Sequence, residues 1–362
     1  MNSNGMDPHG ARLSASALTR FAADVYRSVG VPEADAWLAA DTMVKADLWG
    51  HQSHGLLRLG WYVTRIKSRA IDIFGIPEIV KDSGAVLVMD GKDALGPVIT
   101  MRALEESISR AKTHGVCVTS VRNSNHFGTC MYYTRLGAEQ GCVMLLMSNA
   151  GPNMAPWGGL KKMIGTNPWS ISAPAGKHGV AVMDMANSGV ARGKIYLADK
   201  RREMIPADWA IDKNGCPTTD PREALEGFIL PMAGHKGYVM GCMVDILSGV
   251  LSGSQYLDGV HGPYDPTERS GAGHFMVAID VNAIQALDQF NERMEDYIRR
   301  LKNVPLAQGH EQIFFPGEME NVAALRNEKA GGILLPEDTI TDLLRIAAEC
   351  GVTENIPFQR ST

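Results

Sequence analysis

Apolar positions recur with a helical period at both ends of the chain and with a strand-like pattern in its middle. Five segments outside the middle are predicted to be helices, at residues 13–30, 33–49, 53–69, 282–301 and 336–350. Glycine ends the first two segments, and Ser14 or Ser16 stands where the first one needs a cap. The first three helices are expected to form a helical layer.

The middle of the chain is rich in strands that do not alternate regularly with helices. Short apolar runs predict strands at residues 78–82, 85–90, 116–121, 142–148, 169–173, 180–185, 274–280 and 312–315. Helical spacing predicts helices at residues 97–114, 131–140 and 237–251. A doubly wound sheet requires regular alternation, and no GxGxxG motif with an acidic residue beyond it follows a strand. A nicotinamide cofactor would therefore need a fold other than the Rossmann unit.

Three further segments stand out by composition. Residues 237–251 are apolar on most faces of the predicted helix, which favours a buried helix. Residues 252–273 form a long Gly-, Pro- and polar-rich loop, and such loops are usually functional lids or partly disordered. Residues 192–206 are charged and leave their own structure ambiguous.

Composition narrows the class of protein. The 362 residues are 45% apolar and 21% charged, as in ordinary globular proteins. The net charge of −5 argues against nucleic acid as a partner. Six scattered cysteines without a CxxC pair argue against a zinc site and fit a reducing compartment. Residues 1–12 lack a signal-peptide core and no apolar run is long enough to span a membrane, so a cytoplasmic location is expected.

Two polar turns carry histidines. Residues 123–128 (NSNHFG) lie between a predicted strand and a predicted helix, where a rigid strand positions an imidazole beside free helix N–H groups. The alternative is a helix cap with a His bonded to the backbone. In the second turn, Ser53 is predicted to cap a helix and His54 to lie in its first turn, where the helix dipole favours a neutral imidazole that can take a proton.

Arg58 lies four residues after His54 and would share its helix face. A guanidinium grips a carboxylate through two parallel hydrogen bonds. A base and a carboxylate clamp one turn apart suit a 2-hydroxy acid. A capped helix with a surface arginine is the alternative. His51 and His54 could begin a metal site, but no third ligand is indicated.

Weaker signals follow along the chain. Thr166 lies in a GTNP turn that either meets a polar ligand or is a plain turn, and Asp184 either binds a ribose hydroxyl or caps a helix. Lys236 opens the predicted buried helix, which suggests an anionic ligand nearby. Residues 315–318 form another turn after a short predicted strand.

Taken in order, these motifs resemble those of the type 2 malate/L-lactate dehydrogenase family. The match runs from about residue 13 to residue 351. Its motifs are SHG with Arg58 at 53–58, SNHFG at 124–128, GTNP at 165–168, MDMA at 183–186, DKNG with PTTDP at 212–221, and HKGY at 235–238.

The resemblance implies an NAD(P)-dependent oxidoreductase that interconverts a malate- or lactate-like 2-hydroxy acid and its 2-oxo acid. It implies an α+β fold in which a non-Rossmann cofactor domain, at residues 77–299, contains a largely antiparallel sheet. A helical domain would be built from both chain ends, at residues 1–76 and 300–362. The partners implied are a small carboxylate substrate and a second copy of the chain in a homodimer, with the active site near the subunit interface. NAD is favoured and NADP remains possible.

The resemblance also assigns roles. His54 matches the proton donor and acceptor, with Ser53 as its hydrogen-bonded helper. His126 matches the proton acceptor of the ureidoglycolate branch, so two histidines compete for one role. The substrate-binding residues implied are Arg58, Thr166 and Arg192. The cofactor-binding residues implied are Phe127, Asp184, Met185, Ala186, His235, Lys236, Pro316 and Gly317. No metal ligand is implied.

Other functions stay open from the sequence. A cyclic imino-acid reductase is the first alternative, but Lys194 stands where that branch carries the Asp of its proposed proton relay. A metal-dependent hydrolase would use His51, His54 and His126. A non-catalytic relative would bind the cofactor without turnover. The identity of the substrate and the choice between NAD and NADP are also open.

Overall fold

The computed structural model describes residues 10–358. Its α-helices are α1 (Ala15–Ser28), α2 (Glu33–Leu48), α3 (Leu59–Lys67), α4 (Gly96–His114), α5 (Cys130–Glu139), α6 (Arg192–Arg201), α7 (Pro221–Glu226), α8 (His235–Asp245), α9 (Leu287–Lys302), α10 (Glu318–Lys329) and α11 (Glu337–Glu349). Its β-strands are β1 (Gly10–Leu13), β2 (Glu78–Asp82), β3 (Val86–Asp90), β4 (Val116–Ser124), β5 (Cys142–Ser148), β6 (Trp169–Pro174), β7 (Val180–Met185), β8 (Ala210–Ile211), β9 (Phe228–Ile229), β10 (Ala272–Asp280) and β11 (Ile333–Pro336). The predictions for residues 1–9 and 359–362 lie outside the described residues.

Most elements predicted from apolar periodicity are confirmed. β5 and β7 have the predicted bounds, and α1, α2, α4, α5 and α11 agree closely at both ends. Ser14 caps α1 by accepting the N–H of Ala17. The ambiguous charged segment contains α6, and α9 begins later than predicted. Periodicity therefore located the amphipathic elements, each of which packs its apolar face on a hydrophobic core.

The helix predicted from residue 53 is wrong in its first half. Gln52–His54 and Leu56–Arg58 form separate 3₁₀ turns, and α3 begins only after them. Ser53 is therefore not the N-cap of an α-helix, and His54 does not lie in the first turn of one. The helix dipole does not account for a neutral His54.

A glycine and a buried carboxylate explain this break. Gly55 is extended, at φ −85° and ψ −155°, and the next N–H, that of Leu56, donates to the Asp47 carboxylate at 2.9 Å. A Cβ at residue 55 would overlap the same carboxylate. Asp47 of α2 thus binds the backbone between the two turns and prevents a continuous helix there.

The strand predicted at residues 312–315 is also wrong. This segment has no regular structure, and Phe315 is buried against Ala175 and Ile298 instead of pairing in a sheet. Periodicity also missed α10 and the two-stranded sheet of β1 and β11. The apolar run at residues 313–315 reflects packing of side chains, which a short run does not distinguish from a strand.

One large sheet holds the middle of the chain together. In the described residues it contains seven strands in the order β2-β3-β4-β10-β5-β6-β7. Only β3 and β4 are parallel neighbours, and α4 makes the crossover between them. The remaining ladders are antiparallel. The fold is therefore α+β with a mostly antiparallel sheet, as the family resemblance implies.

Two main hydrophobic cores lie on either side of the two turns that carry the histidines. The first is formed by both chain ends, where α1, α2 and α3 pack with β11 and α11. The second lies on the sheet beneath α4 and α5. Because α2 packs on both α4 and α5, the helical layer and the sheet are held against each other. The turns at residues 53–58 and 123–128 lie between these two layers.

The prediction that residues 237–251 form a buried helix is wrong. The segment is helical, as α8 followed by a π-helical turn at Ile246–Val250, but one face is exposed. Val239, Met243, Ile246 and Val250 are 53%, 46%, 45% and 54% exposed. We call these four residues the α8 stripe. Across residues 10–358, every helix is too short or too polar to cross a lipid bilayer.

Candidate active site

A cavity of about 780 Å³ brings the two histidine turns together. The helical layer contributes residues 51–61 to its wall, and the sheet layer contributes residues 126–130 and 184–196. Residues 258–266 of the long loop close the remaining side. The loop that the sequence marks as a functional lid or partly disordered is thus a wall of the cavity. The volume suits a small ligand with part of a cofactor.

Most of the predicted site residues lie in this cavity. Those that line it are Ser53, His54, Arg58, His126, Thr166, Asp184, Met185, Ala186 and Arg192. The structure therefore assembles, from five separate segments of the chain, most of the side chains that the sequence singled out.

The other predicted cofactor residues lie elsewhere. Phe127 is buried and packs edge-on against His274, with ring centroids 4.6 Å apart. His235 and Lys236 are exposed at the start of α8. Pro316 and Gly317 form a turn that pairs with the edge strand β7. The cofactor-binding roles of these five residues remain predictions.

The two imidazoles are stacked. The ring centroids of His54 and His126 are 5.6 Å apart, and the ring planes are tilted by 16°. Nδ1 of His54 lies 2.9 Å from the Ser53 hydroxyl, and Nδ1 of His126 lies 2.6 Å from the Tyr62 hydroxyl. Each imidazole is thus held at one nitrogen by a hydroxyl, which leaves Nε2 for a ligand in the cavity.

Burial keeps both histidines neutral. Burial, followed by the nearby Arg58 and His51, lowers the pKa of His54 to about 4. Burial also lowers the pKa of His126 well below its ordinary value, with His54 and Arg58 adding to the effect. Removing an imidazolium from water is unfavourable, and like charges add to that cost. Burial, not a helix dipole, is therefore the main reason why the imidazole of His54 is neutral, and its role as a base stays a prediction.

Arg58 is oriented by three neighbours. Its Nε donates to the Ser53 carbonyl at 2.6 Å, and its guanidinium lies 3.6 Å from the centre of the Trp61 ring. The Tyr264 ring is the third neighbour, with its centroid 5.8 Å from the guanidinium carbon of Arg58 and 4.4 Å from the centroid of the Trp61 ring. In the described residues Arg58 forms no ion pair with a carboxylate. A fixed, unpaired guanidinium beside two neutral imidazoles can bind a carboxylate.

Asp184 caps a helix, one of the two roles that the sequence left open. Its carboxylate accepts the N–H of Met131 at 2.7 Å, which places it at the N-terminus of α5. Burial nevertheless raises the pKa of Asp184 to about 6. The carboxylate also borders the cavity, so contact with a ribose hydroxyl stays a prediction.

Four polar side chains near the cavity were not predicted. Tyr62 binds His126, and its position four residues after Arg58 is the only signal in the sequence. His274 is buried between the hydroxyls of Ser148 and Ser124, at 3.0 and 2.6 Å. Ser148 lies on β5 and Ser124 on β4, both far along the chain from His274 on β10. Sequence spacing therefore could not reveal these two contacts.

The other two side chains are Thr129 and Ser188. They are 7% and 8% exposed, they line the cavity, and neither hydroxyl has a hydrogen-bond partner among the described residues. A buried hydroxyl without a partner is unfavourable, so each is suited to a polar group of a ligand.

The described residues contain no group of three or more His, Cys, Asp or Glu that could hold a metal ion, and this gives the metal-dependent hydrolase hypothesis no support.

Known proteins share this sequence and fold. A family model described as malate/L-lactate dehydrogenase matches residues 13–344. The malate/(S)-sulfolactate dehydrogenase of Methanothermus fervidus is 36% identical over 328 residues, which is 91% of this chain and 95% of the relative. Other relatives are named for NAD(+) or for NADP(+).

Solved structures agree with this. The sulfolactate dehydrogenase from Methanocaldococcus jannaschii superposes with a TM-score of 0.88 at 36% identity, covering 94% of this chain and 98% of that one. The delta1-piperideine-2-carboxylate reductase from Pseudomonas syringae is more distant, with a TM-score of 0.81 at 26% identity over 93% and 99% of the two chains. From the family match, the identity and the shared fold, the chain belongs to the malate/L-lactate dehydrogenase family.

Proposed function

We propose that the chain is an NAD(P)-dependent dehydrogenase that interconverts a 2-hydroxy acid and its 2-oxo acid. The observation that carries this proposal is the pair of neutral imidazoles beside an arginine without a carboxylate partner, all in one cavity. Arg58 binds the substrate carboxylate, and one imidazole takes the hydroxyl proton during oxidation and returns it during reduction. Family membership supports the same reaction.

The cavity fits a nicotinamide cofactor. When bound, the nicotinamide accepts or supplies the hydride at C2 of the substrate. The unpartnered hydroxyls of Thr129 and Ser188 suit polar groups of such a ligand, and Asp184, Met185 and Ala186 border the same space. NAD or NADP is therefore the expected cofactor, and we favour NAD.

We further propose that the preferred substrate carries a second anionic group. Arg192 lines the same cavity as Arg58, and among the described residues its guanidinium hydrogen-bonds to neutral acceptors, the Asn153 side chain at 3.0 Å and the Leu225 carbonyl at 3.4 Å. Burial and then the nearby Arg192 lower the pKa of Lys162, so two cations lie close together. Malate and sulfolactate are dianionic acids, and a second anion would be attracted by this pair.

A substrate panel tests the proposal. With NADH or NADPH, we expect kcat/KM for oxaloacetate or sulfopyruvate to exceed that for pyruvate roughly 10- to 100-fold, the effect of one charge-assisted hydrogen bond. Arg192→Gln should remove most of this preference and leave pyruvate reduction nearly unchanged. Equal kcat/KM for pyruvate would contradict the second anion site. Reduction of piperideine-2-carboxylate in preference to all three would favour the imino-acid reductase.

We also propose that the chain is a homodimer and that the α8 stripe lies in its interface. The stripe is an exposed apolar face on a helix whose other face packs in the protein, and its residues recur at helical spacing. A face of this kind, if left in water, would be unfavourable. A second copy of the chain is the occupant that the family resemblance implies.

Light scattering after gel filtration tests the dimer. We expect a mass near twice the chain mass of 39.2 kDa for the wild-type protein. Ile246→Glu should shift the mass toward one chain, because it places a charge in the apolar contact. Ile284→Glu, at an equally apolar exposed site outside the stripe, is the matched control and should stay dimeric. If Ile246→Glu remains a dimer, the interface lies outside the α8 stripe.

Two further expectations concern the division into domains and the location in the cell. We propose that residues 10–76 with 300–358 form one domain and residues 77–299 the other, because the first core joins both chain ends. A cytoplasmic location stays a prediction from the cysteine pattern and the N-terminal sequence.

A further inference from the structure

The hydrogen-bond partners of His126 determine which ring nitrogen carries its hydrogen. Two groups approach Nδ1, the Tyr62 hydroxyl at 2.6 Å and the backbone N–H of Gly128 at 3.4 Å. A backbone N–H can only donate. Nδ1 of His126 is therefore an acceptor, because a hydrogen on it would point toward the hydrogen of Gly128.

The Tyr62 hydroxyl completes this arrangement. It also lies 3.3 Å from the His126 carbonyl, but the contact with Nδ1 is much shorter. Burial raises the pKa of Tyr62, so the hydroxyl keeps its hydrogen, and because Nδ1 already accepts the Gly128 N–H, the hydroxyl can only donate to it. In a neutral imidazole with an unprotonated Nδ1, the hydrogen lies on Nε2.

The surroundings prevent a second hydrogen on the ring. The titratable groups that face His126 are His54 and Arg58 from the 53–58 turns, Arg65 from α3 and His274 from β10, together with Tyr62. These groups are cationic or neutral, and none of them is a carboxylate. An imidazolium would be both buried and repelled, so His126 stays neutral and its tautomer determines its chemistry.

We propose that Tyr62 is a positioning residue that holds His126 in the Nε2–H tautomer, so that His126 donates a hydrogen bond to the substrate oxygen while His54 moves the proton. The proposal rests on the proposed dehydrogenase function and assigns separate roles to its two histidines. His54 differs from His126 because, in the part of the chain that the structure describes, its Nδ1 contacts the Ser53 hydroxyl and no backbone N–H, and a hydroxyl can accept the Nδ1 hydrogen. Nε2 of His54 is then free to act as the base.

The proton and electron balance follows from these tautomers. During oxidation the substrate O–H bond breaks and its proton binds Nε2 of His54. A bound nicotinamide would supply the hydride acceptor, so the C2–H electron pair would leave as hydride while the carbonyl double bond forms at C2. His126 keeps its hydrogen throughout and stabilises the negative charge that develops on the oxygen. Reduction reverses the same steps, with protonated His54 as the acid.

Nitrogen-15 NMR of the full chain labelled at histidine tests the tautomer directly. At neutral pH we expect His126 to show a protonated Nε2 and an unprotonated Nδ1, with its signals identified by their loss in His126→Gln. In Tyr62→Phe, which keeps the ring and removes the hydroxyl, the two nitrogens should become a mixture of tautomers. A hydrogen on Nδ1 in the wild-type protein would overturn the proposal. This measurement needs no turnover, so it is independent of whether the proposed substrates are correct.

Kinetics supply the second test. His126→Gln keeps an N–H near the position of Nε2, so kcat should fall by no more than about tenfold. His126→Leu lacks any donor, and kcat should fall about 10²- to 10³-fold, as for the loss of a donor to a developing oxyanion. Tyr62→Phe should lower kcat and leave KM for the cofactor unchanged. Equal losses in His126→Gln and His126→Leu would show that His126 moves a proton and would overturn the proposal.

Discussion

Replacing His54 by Gln is expected to lower kcat by about 10²- to 10⁴-fold in both directions of the reaction. Gln can replace the imidazole in its contact with Ser53, but an amide cannot take a proton from the substrate and return it. The variant should still bind the cofactor and the carboxylate, because Arg58 is oriented mainly by Trp61 and by the Ser53 carbonyl. Steady-state kinetics at saturating cofactor measure the loss.

The control for this variant is His114→Gln. His114 is exposed at the end of α4 and does not line the cavity, so its replacement should leave kcat within a factor of about two. The comparison with His126→Gln is more informative, because the two imidazoles lie in the same cavity. If His54→Gln keeps near-wild-type turnover, the role of proton donor and acceptor belongs to His126 and not to His54.

The pH dependence of kcat/KM in the wild-type protein is a second test of the role proposed for His54. A pKa of about 4 means that His54 is neutral, and able to act as a base, at every pH above about 5. We expect kcat/KM for oxidation to show no histidine limb between about pH 5.5 and 8. Reduction needs protonated His54, so its kcat/KM should fall as the pH rises across that range. The pH dependence of reduction should be lost in His54→Gln.

The sequence predicted the elements far better than it predicted how they meet. Period and caps locate α1, α2 and α4 because each has one apolar face on a core. The break before α3 was missed because it depends on Asp47, nine residues before the N–H that it binds. The β1–β11 sheet was missed because it joins the two ends of the chain, and local pattern carries no signal for such a pairing.

In the candidate site, too, the sequence predicted individual residues better than the contacts between them. His54 and His126 were both selected from their turns, yet their stacking depends on packing between the helical layer and the sheet. The reason given for a neutral His54 was wrong, since a local dipole was expected where burial is the cause. Tyr62, Thr129 and Ser188 had no motif, because their significance lies in one contact or in the lack of one within the described residues. Motifs identify side chains, whereas tautomers and unpartnered hydroxyls require coordinates.

Replacing Arg58 by Lys is expected to raise KM for 2-oxo acids and lower kcat/KM about 10- to 100-fold, although the charge is kept. The guanidinium makes two kinds of contact at once, since its Nε binds the Ser53 carbonyl while its plane lies on the Trp61 ring. An ammonium on a flexible stem can bind the Ser53 carbonyl or the substrate carboxylate, but it cannot present a two-pronged donor to the substrate. Arg102→Lys, at an exposed site on α4, should change neither constant.

The split between KM and kcat separates the two contacts of Arg58. Loss of the carboxylate clamp acts on KM, and it should also reduce discrimination between a 2-oxo acid and its uncharged amide. Loss of the bond to the Ser53 carbonyl acts on kcat, because Ser53 holds Nδ1 of His54 through its hydroxyl. An unchanged KM together with unchanged discrimination against the amide would remove Arg58 from the clamp. The carboxylate would then have to bind at the other guanidinium of the cavity, that of Arg192, and Arg192→Gln would lower kcat/KM for pyruvate as strongly as for oxaloacetate.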